Sequence, residues 1–330
     1  MVMRTLEVWM LRQEIAEKIR KANHIVITSH QSPDGDCLGS ILALGLSLKK
    51  LGKQVDMIID DDLPPYLQYL PRIEEITRPK EDQSYDLMIV VDLGDLKRMG
   101  KSSLSFHQSN FTICIDHHRT NEHFCKLNYV EVETSSTCEI LAEFLMDFDF
   151  PMDSEIASCL YTGIITDSNR FLYENAGAKC LRIAAKLLDK GADAKTIYYH
   201  EYSCRNPKFL ALLGEVIDHS ISLQDGKVLL AGVSQEEMKK HGILYSEVEG
   251  LVGELRDLKG IEVAVMVKEQ EENIQKISFR SKRYFDVSQL AESFGGGGHK
   301  KAAGASMETT FDQAKKILQK KLEALDLSEN

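Results

Sequence analysis

The chain has 330 residues, 43% hydrophobic and 28% charged, with a formal net charge of −11. That is globular composition, long enough for two domains and a sizeable core. It argues against a broad basic face for long nucleic acid. No run of about eighteen or more apolar residues occurs, which argues against a membrane helix.

The N-terminal stretch "MVMRTLEVWMLRQEIAEKIRKA" puts Leu6, Met10, Ile15 and Ile19 at helical spacing and reads as a first helix. Interleaved charges deny it the apolar core of a signal peptide, and Glu7, Glu14 and Glu17 do not suit a transit peptide, so a cytoplasmic protein is expected. "HIVITS" (His24–Ser29) is the first strand, followed by the helix "LGSILALGLSLKKLG", closed near Gly52. "QVDMIID" (Gln54–Asp60), "YDLMIVVD" (Tyr85–Asp92) and "FTICID" (Phe111–Asp116) are further strands, the last two apolar enough for burial on both faces. Strands alternating with helices imply right-handed crossovers and a mostly parallel sheet. Three helices follow: "SSTCEILAEFLMDF", "SEIASCLYTGIITDS" and "AGAKCLRIAAKLLDKGAD".

After about Cys204 the character changes. A helical connector near Pro207–Leu223 leads to the strand "KVLLAGVS", a helical "YSEVEGLVGELRDLKG", and two strands, "IEVAVMVKEQ" and "NIQKISFRS", that flank a turn at "EENI". "TTFDQAKKILQKKLEAL" is a last amphipathic helix. The expected architecture is α/β in two domains. Residues 1–204 would form a mostly parallel sheet flanked by helices, 205–217 a helical linker, and 218–330 a smaller α/β domain with a mixed sheet.

The seven cysteines are odd in number and scattered, with no C-x-x-C pair. Zinc ribbons and disulfide frameworks lose support, and the cysteines, Cys37 included, read as small buried hydrophobes.

Chemistry concentrates where strands end, the place where parallel sheets bind ligands. His30, Asp34 and Asp36 follow the first strand, Asp92 ends "MIVVD", and Asp116, His117 and His118 end "TICIDHH". Asp167 ends the apolar run "LYTGIITDS". A single such aspartate usually caps a helix. Several converging on one sheet edge would repel one another and shift one another's pKa, and a pair of divalent metals removes that conflict. Oxygen and imidazole donors without thiolate favour manganese, with magnesium, cobalt or iron as lesser alternatives. Two such ions roughly 3.5–4 Å apart recur in phosphoryl chemistry. Pro33 and Gly35 are read as supplying the backbone angles of the turn that carries Asp34 and Asp36.

"HQSPDGDCLGS", Asp92, "DHH" at Asp116–His118 and Asp167 together resemble the signature motifs of the DHH phosphoesterase superfamily. "GGGGHKKAAG" (Gly295–Gly304) resembles the signature of its DHH-associated C-terminal domain. The resemblance covers essentially the whole chain, and its compact length looks like the nano-RNase and pAp-phosphatase subfamily. It implies two Mn2+ ions, replaceable by Mg2+ or Co2+. His30 and Asp34 would hold one ion and Asp36 the other, Asp92 would bridge them, and His117 with Asp167 would complete the second site. His118 would face the scissile phosphate and Asp116 would orient a histidine. The adjacent His117 and His118 can exchange these roles.

The basic island of Arg280, Lys282, Arg283, His299, Lys300 and Lys301 stands out in an acidic chain. Arg283, Lys300 and Lys301 fit a solvated face. Arg280, His299 and the backbone of Gly296, Gly297 and Gly298 fit a phosphate-binding role, because guanidinium binds phosphate bidentately and glycine admits close approach. Arg119 and Asn121 are candidates for further phosphate contact, and Asn169 and Arg170 for the wall of the site.

The resemblance therefore implies a manganese-dependent phosphoesterase. Its expected partners are short single-stranded RNA, cut to mononucleotides, and 3′-phosphoadenosine 5′-phosphate (pAp), dephosphorylated to AMP. A cyclic-di-AMP or pApA phosphodiesterase is the alternative, and a catalytically inactive nucleotide-binding regulator is a second one from another class. The complete ligand set speaks against the last. No membrane partner is expected, and a homodimer is left open.

Overall fold

A computed structural model describes residues 2–204 and 206–327. The chain divides into two compact units, Met1–Cys204 and Arg205–Asn330.

The first unit is built from α1 (Val2–Lys21), β1 (His24–Thr28), α2 (Gly35–Lys50), β2 (Gln54–Ile58), β3 (Ile76–Thr77), β4 (Leu87–Val91), α3 (Ser103–His107), β5 (Thr112–Asp116), β6 (Leu127–Val130), α4 (Thr137–Asp147), α5 (Ser154–Asp167), α6 (Ala178–Asp189) and α7 (Ala194–Tyr198). Its six strands are all parallel, in the order β3-β2-β1-β4-β5-β6. Alternation along the strands fills two cores. Ile25 and Ile27 of β1 and Leu87, Ile89 and Val91 of β4 join α2, α4 and α5 on one face, while Val26, Met88 and Val90 pack with Met99 and Cys114 on the other. α2 is buried from Gly35 to Leu48, which explains why its sequence is apolar all round rather than on one stripe.

The chain order reverses direction between β1 and β4, so this pair marks the switch point where crossovers go to opposite sides and a crevice opens. His30 follows β1 and Asp92 follows β4. The strands end earlier than their apolar runs suggest, because Asp92 turns into the left-handed region at φ 52°. In α1, Ile15 and Ile19 are buried as expected, but Leu6 and Met10 are 61% and 60% exposed.

The second unit holds α8 (Pro207–Asp218), β7 (Ile221–Leu223), β8 (Val228–Val233), α9 (Gln235–His241), α10 (Leu251–Asp257), β9 (Val263–Glu271), β10 (Ile274–Ser281), α11 (Val287–Glu292), β11 (Gly297–His299), β12 (Ala302–Glu308) and α12 (Phe311–Glu323). Its mixed sheet runs β11-β12-β10-β9-β8-β7, with β8 and β9 parallel and the other pairs antiparallel. The segment read as a connector forms α8, and its Phe209, Leu212 and Val216 pack in this unit's core with Ala264 and Met266 of β9. The stretch "GGGGHKKAAG" is not an open loop: it contributes the hairpin β11–β12, because small residues let two strands pair closely there. Six of the seven cysteines are buried and all are unbridged; Cys204 is exposed. Among the described residues no helix is long and apolar enough to cross a membrane.

Candidate metal centre

Asp34 begins α2 as its N-cap, one carboxylate oxygen accepting from the backbone N–H of Asp36 (3.1 Å) and Cys37 (3.0 Å). The turn before it bends at Ser32, whose φ is 57°. Gly35 is not the permissive hinge the sequence suggests; it is small because a Cβ there would strike the Thr166 side chain of α5. Pro33 and Asp34 thus stand between a left-handed residue and a helix start.

Asp36 points into the interior, with its carboxylate accepting from the backbone N–H of Thr137 (2.7 Å) and Cys138 (2.8 Å). These are the first residues of α4, so the partial positive charge of a helix start faces the anion. Ser136 caps the same helix by accepting from Glu139 N–H at 3.0 Å, while Ser135 Oγ donates to the Glu139 carboxylate and Thr134 Oγ1 to the Glu131 carbonyl. Gly163 of α5 makes room for this arrangement: a Cβ there would lie 2.6 Å from Asp36 Oδ1.

Asp92 is the centre. Its backbone is held by Ser29 Oγ, which donates to its carbonyl at 3.1 Å, and Thr137 Oγ1 donates to its Oδ1 at 3.2 Å. His30 Nε2 lies 3.4 Å from Asp92 Oδ2, while His117 Nε2 lies 3.5 Å from Asp92 Oδ1. His117 Nε2 is also 3.4 Å from Asp167 Oδ2 and 3.9 Å from Asp36 Oδ2. Asp92 is shared by two groups that combine it with residues of other elements, His30/Asp34/Asp92 and Asp36/Asp92/His117, and by a third within the DHH motif, Asp92/Asp116/His118, in which His118 Nδ1 lies 3.6 Å from Asp92 Oδ1. Asp167 adjoins the second group. It stands on the C-terminal residue of a helix, α5, and not at a strand end.

His118 turns otherwise. Its Nδ1 donates to Asp116 Oδ1 at 2.7 Å, and Asp116 in turn accepts at Oδ2 from Asn121 Nδ2 at 2.6 Å. Asn121 is therefore buried beneath the motif as a support, not set out to meet a phosphate. Arg119 is exposed and reaches Glu133 at 3.4 Å. Sequence reading overlooked Thr137, whose type resembles an ordinary helix start, and Arg98. The Arg98 guanidinium lies 3.1 Å from His30 Nδ1, which also faces the Gln31 carbonyl oxygen at 2.9 Å. The carbonyl can only accept and the guanidinium can only donate, so Nδ1 bonds one or the other according to the tautomer, while Nε2 faces Asp92.

The electrostatics test whether this cluster fits a cation. Burial pushes Asp36 well above the carboxylate range, and neighbouring Asp92 and Asp167 add to it. Burial likewise lifts Asp167 to about 7, against the pull of His117. Burial would lower His117, yet Asp167, Asp92 and Asp36 together drive it well above an ordinary imidazole. Burial would also raise Asp92, but hydrogen bonds from His117 and His30 hold it well below. A cluster in which Asp36, Asp167 and His117 all hold protons more tightly than usual is short of positive charge, and the donor set of carboxylates and imidazoles suits divalent cations.

In the second unit, Arg280 is the penultimate residue of β10, paired with Ala302 of β12, and donates from Nη1 to the Phe279 carbonyl at 3.0 Å. Lys282 lies past the strand end at Ser281 and donates to the Leu258 carbonyl at 2.6 Å. Arg283 pairs with buried Glu262 at 3.6 Å, and Lys301 bonds the Arg283 carbonyl. Gly296 and Gly298 admit the close approach of β12; at Gly298, with φ 144°, a Cβ would come 2.6 Å from the Ala302 carbonyl. Gly297 has open space around it, and His299 pairs with Ala302 in the hairpin.

Residues 24–164 match the model of the DHH family, N-terminal domain, and residues 225–325 that of the DHHA1 domain. A Thermus thermophilus protein named bifunctional oligoribonuclease and PAP phosphatase NrnA is 30% identical over 93% of this chain and 91% of its own. A Bacillus subtilis protein of the same name is 26% identical over 93% and 96%. The crystal structure of an exopolyphosphatase-related protein from Bacteroides fragilis superimposes with a TM-score of 0.87, at 30% identity over 96% of each chain.

Proposed function

Because the chain belongs to the DHH family, we propose that it is a manganese-dependent phosphoesterase that trims oligoribonucleotides of a few residues to mononucleotides and removes the 3′-phosphate of pAp. It is a hydrolase of nucleotides or oligoribonucleotides, and the finer assignment rests above all on Asp92, one carboxylate shared by two ligand groups. His30 and Asp34 would hold one cation, and Asp36, His117 and Asp167 the other. When bound, the two ions would supply positive charge to a phosphoryl group and lower the pKa of water. The chain's own residues do the rest. The start of α4 fixes Asp36, Thr137 steadies Asp92, and the Asp116–Asn121 pair fixes the tautomer and direction of His118. So oriented, His118 would face the scissile phosphate and hold or move a proton there.

In this reading residues 1–204 carry the chemistry, and residues 218–330, behind the helix that begins at Pro207, recognise the nucleotide through Arg280, His299 and the Gly296–Gly298 backbone. The net charge of −11 repels a trailing polyanion, so phosphates beyond the first few gain little. The test is catalytic efficiency with Mn2+ on labelled RNA of increasing length, and on pAp, at two salt concentrations. Efficiency should peak from dinucleotides to about pentanucleotides, with a shallow salt slope of roughly 0.7 log units per neutralised phosphate. Undiminished cleavage of long RNA with a steep slope would overturn the reading, as would hydrolysis confined to pApA or cyclic-di-AMP.

A further inference from the structure

Two helices of the second unit each carry a glutamate and a histidine four residues apart: Glu215 and His219 on α8, Glu237 and His241 on α9. His219 N–H donates to the Glu215 carbonyl at 3.0 Å, so α8 is still helical there and presents both side chains on one face. The pairs then cross between helices. His241 Nε2 lies 2.7 Å from Glu215 Oε2, and His219 Nδ1 lies 3.6 Å from Glu237 Oε1. Ligand atoms of Glu215, His219 and Glu237 all fall within 4.8 Å of one another.

The carboxylates are held in place by their other bonds. Glu237 Oε2 accepts from Ser234 N–H (2.7 Å) and Oγ (2.8 Å) in a capping box, which leaves Oε1 turned to His219. Glu215 is gripped by His241 and by Lys240, whose Nζ lies 2.7 Å from Oε1 and 2.9 Å from Oε2. His219 is 61% exposed, so an ion has a way in. Ligand atoms around a tetrahedral Zn2+ at about 2.0–2.2 Å sit about 3.3–3.6 Å apart, a spacing these side chains reach by rotamer adjustment.

We propose that Glu215, His219 and Glu237 form a transition-metal site, fitted to Zn2+, that links α8 to α9, with His241 anchoring Glu215 and Lys240 as the competing cation. Two carboxylates and an imidazole on helical spacing match the borderline character of that ion and leave a fourth position for water. A bound ion would tie together two helices that flank one face of the second unit's core and would stabilise the folded chain by mass action. The inference is independent of the proposed phosphoesterase activity.

The test takes the full chain saturated with Mn2+, titrates it with Zn2+, counts both metals per chain by mass spectrometry after desalting, and follows the melting temperature. Wild type should gain one zinc with manganese retained, and melt higher. His219→Ala should weaken that uptake at least about tenfold, leaving turnover on a dinucleotide unchanged. Lys240→Ala should tighten it several-fold, which a cluster serving only as an ion pair would not do. Zinc that enters only as manganese leaves, equal uptake by wild type and His219→Ala, or weakened uptake by Lys240→Ala would overturn the assignment.

Discussion

The two units treat charge in opposite ways. In the first, acids and imidazoles crowd a buried point and are fastened before any ion arrives: Asp34 by its own helix start, Asp36 by two amides of α4, Asp116 by Asn121. In the second, the cations of the basic island are not buried, and several are already committed to the protein, Arg283 to Glu262 and Lys282 and Lys301 to carbonyls. Rigid, oversupplied anions suit an ion pair of fixed geometry. A few cations beside a narrow hairpin suit a short anionic ligand, not a long one.

The contrast can be broken most severely at Asp92. Asp92→Ala removes the oxygen atoms that both ligand groups share, and hydrolysis of every phosphoester should fall about a thousandfold or more. Circular dichroism should show the fold retained, since a carboxylate is lost from a repulsive cluster. Large residual turnover by folded protein would sink the shared-ligand assignment.

Gly163→Ala acts at one remove. The new methyl would press on Asp36 Oδ1 and on Cys138. Overpacking of this kind costs about 1–3 kcal/mol of stability, and the displaced carboxylate should weaken metal affinity by about a hundredfold or less, measured by manganese titration. Unaltered affinity would mean that Asp36 is not a ligand.

Arg280→Ala sharpens the contrast from the other side. Loss of a charge-assisted phosphate contact is worth about 1.5–3 kcal/mol, or roughly tenfold to a hundredfold, on dinucleotides. Metal content should stay constant, and a nitrophenyl phosphodiester should be far less affected. Equal losses on both substrates would place the effect in folding.

Asn121→Ala should cost about tenfold in turnover and shift the pH profile, because Asp116 loses a donor and His118 its fixed direction. An unchanged profile would leave His118 without a part in proton handling. The smallest effect is expected at Arg119→Ala, about twofold on oligonucleotides, since Glu133 already competes for an exposed guanidinium. A tenfold loss would show that Arg119 leaves Glu133 for the substrate.

Much of this was legible in the residues. Apolar runs ending in His30, Asp92 and Asp116–His118 located the sheet edge, since strand periodicity and helix starts are local signals. What stayed hidden depends on packing. Asp167 reaches the cluster from a helix end because α5 crosses α2 closely at Gly35, Gly39 and Gly163. Backbone amides of α4 have no sequence letter of their own, so the grip on Asp36 could not be read. Asn121 looked like a phosphate ligand because its partner, Asp116, is five residues back in the chain and is met only once the loop folds. The pairing of the glycines before His299 with β12 was equally hidden, since a Gly-rich run gives no sign of which strand it lies against.

The left-handed backbone at Asp92 narrows the routes by which this chain can drift. Asparagine, aspartate and glycine tolerate such an angle most readily, and of these aspartate alone offers the anion that the proposed bridge requires. Glutamate keeps the charge but bears the backbone strain and sets its carboxylate one methylene further out. The position is filtered twice, once by chemistry and once by conformation. A mutational walk that passes through Asp92→Asn or Asp92→Gly would preserve the turn while losing the site.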